Sequence, residues 1–308
     1  MIPRPIPRRR FLQISAAAMA LASPARAAPV YRWQGVALGA RATIRLTHPD
    51  AKAITDRAAA EISRLEDIFS LYRADSALSV LNRQGSLDAP PFELLECLSL
   101  AGSVHHASGQ RFDPTVQPLW QAHAQAAVEG RSITARERAA ALALTGWQGV
   151  ELTPHRITLR PGMALTLNGI AQGYVADRVA SLLGAEGLTD ILIDTGELRA
   201  LGGDPQGGAW PVTLAPSGAA LPLRDRALAT SAPRGTLLDA AGRVGHIIDP
   251  ATGSPSAAPW TGVSVTAPSA ALADALSTAA CLAADRRAID AILAAFPEAT
   301  CLSARQAA

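Results

Sequence analysis

Lysine is almost absent: Lys52 is the only one among 308 residues. That all but excludes a Walker-type phosphate loop or Schiff-base chemistry, both of which need a placed lysine. Aromatic residues are also scarce, at 4% of the chain, and the arginines that carry nearly all the positive charge are scattered. No basic stripe interleaved with aromatics is visible, so a nucleic-acid partner is not expected. The three cysteines, Cys97, Cys281 and Cys301, lack metal-ligand spacing and make no disulfide framework. Two readings of the last two stand open: a Cys281–Cys301 disulfide in an oxidising compartment, or two buried free thiols. Long apolar runs are missing too. The longest near the N-terminus, Ile14 to Ala22, falls well short of the ~20 residues that span a bilayer.

That short run has a different meaning. Arg8-Arg9-Arg10-Phe11-Leu12-Gln13 precedes it and Ser23-Pro24-Ala25-Arg26-Ala27 follows. A charged start, an apolar middle and a small-x-small end describe a secretory leader, with paired arginines of the twin-arginine kind. Residues 1–27 are therefore expected to be removed on export to the periplasm, leaving 28–308 as the working domain with no stable membrane span. The leader holds five arginines and no acids, so the formal charge falls from +2 to −3 without it. The nominally basic balance belongs to the leader.

With 49% hydrophobic and 18% charged residues, the remainder can bury a substantial core. Tyr31–Leu46 alternates like a strand pair broken at Gly39, and Ala51–Phe69 repeats its apolar residues at helical spacing. Further helices are expected at Ala77–Leu81, Pro91–Ser108, Ala135–Leu144, Gly169–Leu183, Ala270–Ala284 and Ala288–Phe296, the last closing the chain. Strands are expected within Val150–Leu167 and at Ile191–Asp194, Leu198–Leu201, Val212–Leu214, Leu228–Thr230, His246–Ile248 and Val263–Thr266. Phe112–Trp120 contains two prolines and reads as a loop or a short irregular element. The pattern is α+β: mixed, largely antiparallel sheets packed with helices in a single compact domain.

Four segments combine small residues with a polar group beside an apolar run. In Ala273-Asp274-Ala275-Leu276-Ser277-Thr278, Asp274 and Thr278 are four apart and project from one helix face. A carboxylate and a hydroxyl so placed suit Mg²⁺, which takes few protein ligands. Spacing alone favours a helix cap at Asp274 instead, with Thr278 bonding back to a carbonyl. His246 opens an apolar stretch that ends in the Asp249-Pro250-Ala251-Thr252-Gly253 turn. It is either a general base or an ordinary satisfied histidine, and Asp249 is expected to hold the turn. Asn168-Gly169-Ile170-Ala171-Gln172-Gly173 lets backbone N–H groups approach an anion, although the G-x-G-x-x-G spacing is absent. In Arg111-Phe112-Asp113-Pro114-Thr115, Asp113 and Thr115 either close the loop or contact a ligand.

In this order the segments resemble the ApbE family of FAD:protein FMN transferases. Phe112–Leu119 matches its F-D-x-T-V-x-P-L loop, and Gly169–Tyr174 with Asp177 matches G-x-A-x-G-Y followed by an acid. Arg199–Gly202, His246–Gly253 and Ala273–Thr278 match R-A-L-G, H-I-I-D-P-x-T-G and A-D-A-x-x-T. Phe69–Ser76 matches F-S-x-Y-R-x-D-S. The resemblance implies an ApbE-like, T-fold-like architecture and a Mg²⁺ site at Asp274 and Thr278, with Ser277 and a carbonyl near Gly169. It implies that FAD is held by Leu38, Tyr72 (stacked on the flavin ring), Arg111, Phe112, Asp113, Thr166, Gln172 and Ile248, with His246 as base. The implied partner is an acceptor flavoprotein carrying a D-x-x-[ST]-G-A-[ST] motif. Water as acceptor would instead make the chain an FAD pyrophosphatase, and loss of turnover would leave a flavin carrier. Many relatives carry an acid where Thr166 stands, glycine at Asn168, lysine or an acid at Gln172, and threonine at Ala40. Such departures fit either a divergent, NosX-like branch or weakened catalysis.

Overall fold

A computed structural model of the chain describes residues 29–214, 218–239, 242 and 244–306. The expected leader lies outside these residues. Tyr31–Ala37 (β1) and Ala40–Leu46 (β2) form a hairpin, as the alternation requires. It begins an all-antiparallel sheet that continues through Ile191–Asp194 (β6), Leu198–Leu201 (β7), Ala227–Ser231 (β10), Trp260–Ala267 (β13) and Thr300–Gln306 (β14), in the order β1-β2-β6-β7-β10-β13-β14. Three small antiparallel sheets lie outside it: Ser86–Asp88 (β3) with Val150–Leu152 (β4) and Arg156–Leu159 (β5); Trp210–Leu214 (β8) with Ala219–Leu223 (β9); and Ile248–Asp249 (β11) with Ser254–Pro255 (β12).

Among the described residues there are eight α-helices: Ala51–Phe69 (α1), Ala77–Gln84 (α2), Phe92–Ala107 (α3), Gln117–Val128 (α4), Ala135–Leu142 (α5), Ala171–Ala185 (α6), Ala270–Ala280 (α7) and Arg286–Leu293 (α8). The core lies between the main sheet and α1, α3, α6 and α7. Helices α6 and α7 meet with almost no space between them. A Cβ on Gly173 would lie 2.3 Å from the carbonyl oxygen of Ala270, so only glycine permits this approach.

Four expectations need correction. The Phe112–Trp120 segment is irregular, as expected, only as far as the short 3-10 turn Pro114–Val116; from Gln117 it is helix α4, with Pro118 in its first turn, where a missing N–H costs nothing. The chain does not close on a helix. It returns as β14 beside β13, a pairing across 30 to 50 residues that no local pattern announces. His246 does not lie in a strand, since β11 starts only at Ile248. Helix α7 also stops at Ala280, short of the expected Ala284.

Candidate active site

The first three residues of α7 are held from two sides. Ser269 caps the helix, accepting from the N–H of Leu272 at 3.2 Å. Asp177 of α6 accepts from the N–H groups of Ala270 and Ala271 at 2.8 and 2.9 Å. Burial raises the Asp177 carboxyl to about 6, against the pull of those N–H groups and of Arg199. These contacts overturn the capping reading of Asp274. Its carboxyl stands beyond the first turn, 3% exposed, and its Oδ2 has no hydrogen-bond partner. Desolvation raises its pKa well above the ordinary 3.8, and an N–H of Gly173 offsets this only in part. A buried carboxylate oxygen without a partner is costly in a folded protein, which marks it as a ligand-seeking group.

Asp274 lines a cavity of about 280 Å³. Thr278, one turn on, projects into the same space, its Oγ1 3.2 Å from the hydroxyl of Ser231. The loop before α6 closes over it: a Cβ on Gly169 would lie 3.0 Å from Thr278 Oγ1 and 3.3 Å from the Phe112 ring. Ser277 does not reach the cavity. Its hydroxyl donates to the Asp274 carbonyl at 3.0 Å and pairs with Ser231 Oγ at 2.6 Å, so Ser277, and not Thr278, makes the back-bond within the helix.

His246 lines the same cavity. Its Nδ1 lies 3.2 Å from the Thr236 carbonyl and 3.3 Å from the Thr236 N–H. With the ring proton donated to the carbonyl, Nε2 holds the free lone pair. Burial lowers the histidine pKa below 6.5, partly offset by that carbonyl, so the ring is neutral and basic near pH 7. Ile248 lines the cavity beside it and packs against Leu119 and Ala141. Asp249 holds the turn as expected, accepting from Ala251 N at 2.9 Å and from the Thr252 hydroxyl.

Arg111, Phe112, Asp113, Thr166 and Gln172 complete the wall. Asp113 Oδ1 accepts from the N–H and hydroxyl of Thr115 at 2.8 and 2.6 Å, so it closes the loop while facing the cavity. Arg111 donates to the Ser108 carbonyl, and the Thr166 N–H donates to the Pro114 carbonyl. Leu38 and Tyr72 are not brought here. Tyr72 is 82% exposed on the loop between α1 and α2. Leu38 sits at the β1–β2 turn with a positive φ of 49°. Both segments are tied to Glu66, whose carboxylate accepts from the Leu38 N–H at 2.7 Å and pairs with Arg73.

Sequence reasoning missed Glu197 and Ser231, which line the same cavity. Glu197 follows Gly196 in the tight β6–β7 connection, where an acid reads as a solvated turn residue. All three cysteines are buried free thiols, which decides between the two open readings.

No cluster of three or more His, Cys, Asp or Glu side chains placed for a metal occurs among the described residues. Asp274 shares the cavity with the hydroxyl-bearing Thr278 and Ser231 and with the backbone of Gly169, which supply oxygen donors. Such a set fits a hard cation with few protein ligands, and fits zinc poorly.

Residues 38–302 match the ApbE family. The chain is 32% identical over 272 residues to the FAD:protein FMN transferase of Treponema pallidum, covering 74% of each. It is 29% identical over 228 residues to that of Chlamydia pneumoniae, covering 70% of this chain and 71% of the other. The crystal structure of the ApbE protein of Thermotoga maritima superposes with a TM-score of 0.79 at 22% identity, over 91% of this chain and 97% of that one. At that identity the match concerns the fold.

Proposed function

The chain belongs to the ApbE family, and we propose that it works as an FAD:protein FMN transferase with Mg²⁺ bound at Asp274. One observation carries the reading: a buried, unpartnered carboxylate oxygen and a neutral histidine line one cavity. Family membership supplies the substrate class. Asp274, Thr278 and the backbone near Gly169 would hold the cation, which when bound neutralises diphosphate charge.

The protein groups do the rest. The Gly169 loop borders the place where the diphosphate would lie beside the cation. Phe112, Arg111 and Asp113 hold the adenosine end, and Thr166, Gln172 and Ile248 fix the dinucleotide along the wall. His246 Nε2 takes the proton of the acceptor threonine or serine hydroxyl. That oxygen bonds to the phosphorus on the FMN side, the P–O bond to the AMP half breaks, and AMP leaves with both electrons of that bond. Placement of hydroxyl, base and phosphorus supplies much of the rate.

The direct test is incubation of the protein with FAD, MgCl₂ and a peptide bearing D-x-x-[ST]-G-A-[ST]. The expected outcome is an acceptor mass gain of FMN less water, with equimolar AMP, both lost on adding EDTA. AMP and FMN without labelling would instead make water the acceptor. FAD left intact would favour a carrier, with the departures at Ala40, Thr166, Asn168 and Gln172 as the cause.

Tyr72 enters this reading as the flavin-stacking residue, an exposed ring free to cover an isoalloxazine that extends beyond the cavity. Base–aromatic stacking is worth about 1–3 kcal/mol, so Tyr72→Ala is expected to weaken FAD binding by about tenfold or more. An unchanged dissociation constant by fluorescence titration would remove the role. The leader at 1–27 supports a periplasmic site of action. Cell fractionation of the full chain tests this, with retention in the cytoplasm expected when Arg8 and Arg9 are both changed to Lys. No described helix is long and apolar enough to cross a membrane.

A further inference from the structure

Glu197 is buried to 8% exposure in the turn just before β7. It lines the same cavity as Asp274 and also a second cavity, of about 330 Å³, on its other side. Its side chain thus forms part of the partition between them. The only hydrogen bond to its carboxylate among the described residues is a long one, 3.3 Å from the Thr230 N–H to Oε2. No arginine or histidine pairs with either acid among the described residues. Arg199, two positions on, is engaged with Asp177 at 3.3 Å. Asp274 and Glu197 therefore share one cavity with no ion pair to either among the described residues; in the same lining Asp113 is satisfied by Thr115, and Arg111 donates to the Ser108 carbonyl. Burial and the nearby Asp274 carboxylate both disfavour charge on Glu197. Two buried like charges without compensation destabilise a fold, and a divalent cation is the simplest group that lets both ionise. The second, independent sign of a ligand is the unpartnered, fully desolvated Oδ2 of Asp274.

We propose that Glu197 is a second carboxylate of the cation site, sharing the divalent ion with Asp274. This rests on the cation reading of the cavity given above. It explains why an acid occupies a tight turn between two short, mostly apolar strands, where packing alone would favour a neutral residue. It also gives the site a second negative charge from the β6–β7 turn, separate from helix α7.

The test uses Mn²⁺ titrated calorimetrically into the FAD-loaded protein without acceptor, alongside thermal melting with and without Mn²⁺. Glu197→Gln keeps the size and the Thr230 hydrogen bond but removes the charge. It is expected to weaken Mn²⁺ binding at least about tenfold, while the cation-free protein melts no lower than wild type. Glu197→Asp, which restores the charge, should recover part of the affinity. A structural role alone would lower melting in both conditions and leave Mn²⁺ affinity unchanged. Wild-type Mn²⁺ affinity in Glu197→Gln overturns the proposal. Asp274→Asn, measured in parallel, should lose the ion; if it also binds Mn²⁺ as wild type does, the cation site itself is wrong, not only the place of Glu197 in it.

Discussion

Asp274→Asn is expected to reduce cation-dependent FMN transfer by about 10³-fold or more while leaving the fold intact. Charge stabilisation by a bound metal is worth several kcal/mol, and each ~1.4 kcal/mol is tenfold in rate. The substitution keeps the size of the side chain on a helix otherwise made of alanine, leucine and the hydroxyl residues Ser277 and Thr278, so packing is preserved. It also removes a carboxyl whose ionisation is opposed by full burial. Because the folded-state pKa is raised above 3.8, this group contributes stability that is fully present below that value. The contribution is lost as pH rises toward the folded pKa. The cation-free wild type should therefore lose stability with rising pH relative to Asp274→Asn, and the cation should restore it. Melting curves across pH, with and without Mg²⁺, check this together with the transfer rate. Full transfer activity in the asparagine variant would sink the metal-site assignment.

His246→Gln is the second large effect. General-base catalysis contributes typically about 10²–10⁴-fold, so kcat should fall by that order. The ring's hydrogen bonds are to the Thr236 backbone alone, and FAD affinity should change little. The pH profile carries the sign. Burial lowers the histidine pKa below 6.5, and the neutral ring is the active form. Transfer in wild type should rise with pH through a midpoint below 6.5 and then level off, and the variant should lose that limb. A collapse in FAD affinity with a normal rate per bound FAD would make His246 a binding residue.

The two residues differ in how visible they were. Asp274 and Thr278 announced themselves by spacing, because positions four apart on a helix share a face whatever the helix packs against. The sequence could not separate a metal ligand from a cap. That choice depended on Ser269 and Asp177 taking the α7 N-terminus, contacts that include one 93 residues away. His246 was found from its motif, but its placement outside a strand and its bond to Thr236 come from a turn that local propensity does not encode. Glu197 carried almost no signal. Tyr72 was legible as a motif residue, yet the structure leaves it on the surface and ties its loop to the Leu38 turn through Glu66.

What the sequence determined by itself was the set of elements with strong periodicity: the Tyr31–Leu46 hairpin, α1, α6 and the strands around β6 and β7. It also determined the order of the polar segments that places the chain in its family. These are local properties, fixed by which faces are apolar and where small residues interrupt them. Tertiary structure alone decided that a helix starts at Gln117 with Pro118 in its first turn, that β14 closes the sheet beside β13, and which acids face one cavity. Desolvation and charge coupling depend on neighbours in space, and the chain brings those neighbours together from segments as far apart as residues 111 and 278. The ionisation states that matter for the proposed chemistry therefore belong to the fold rather than to any stretch of sequence.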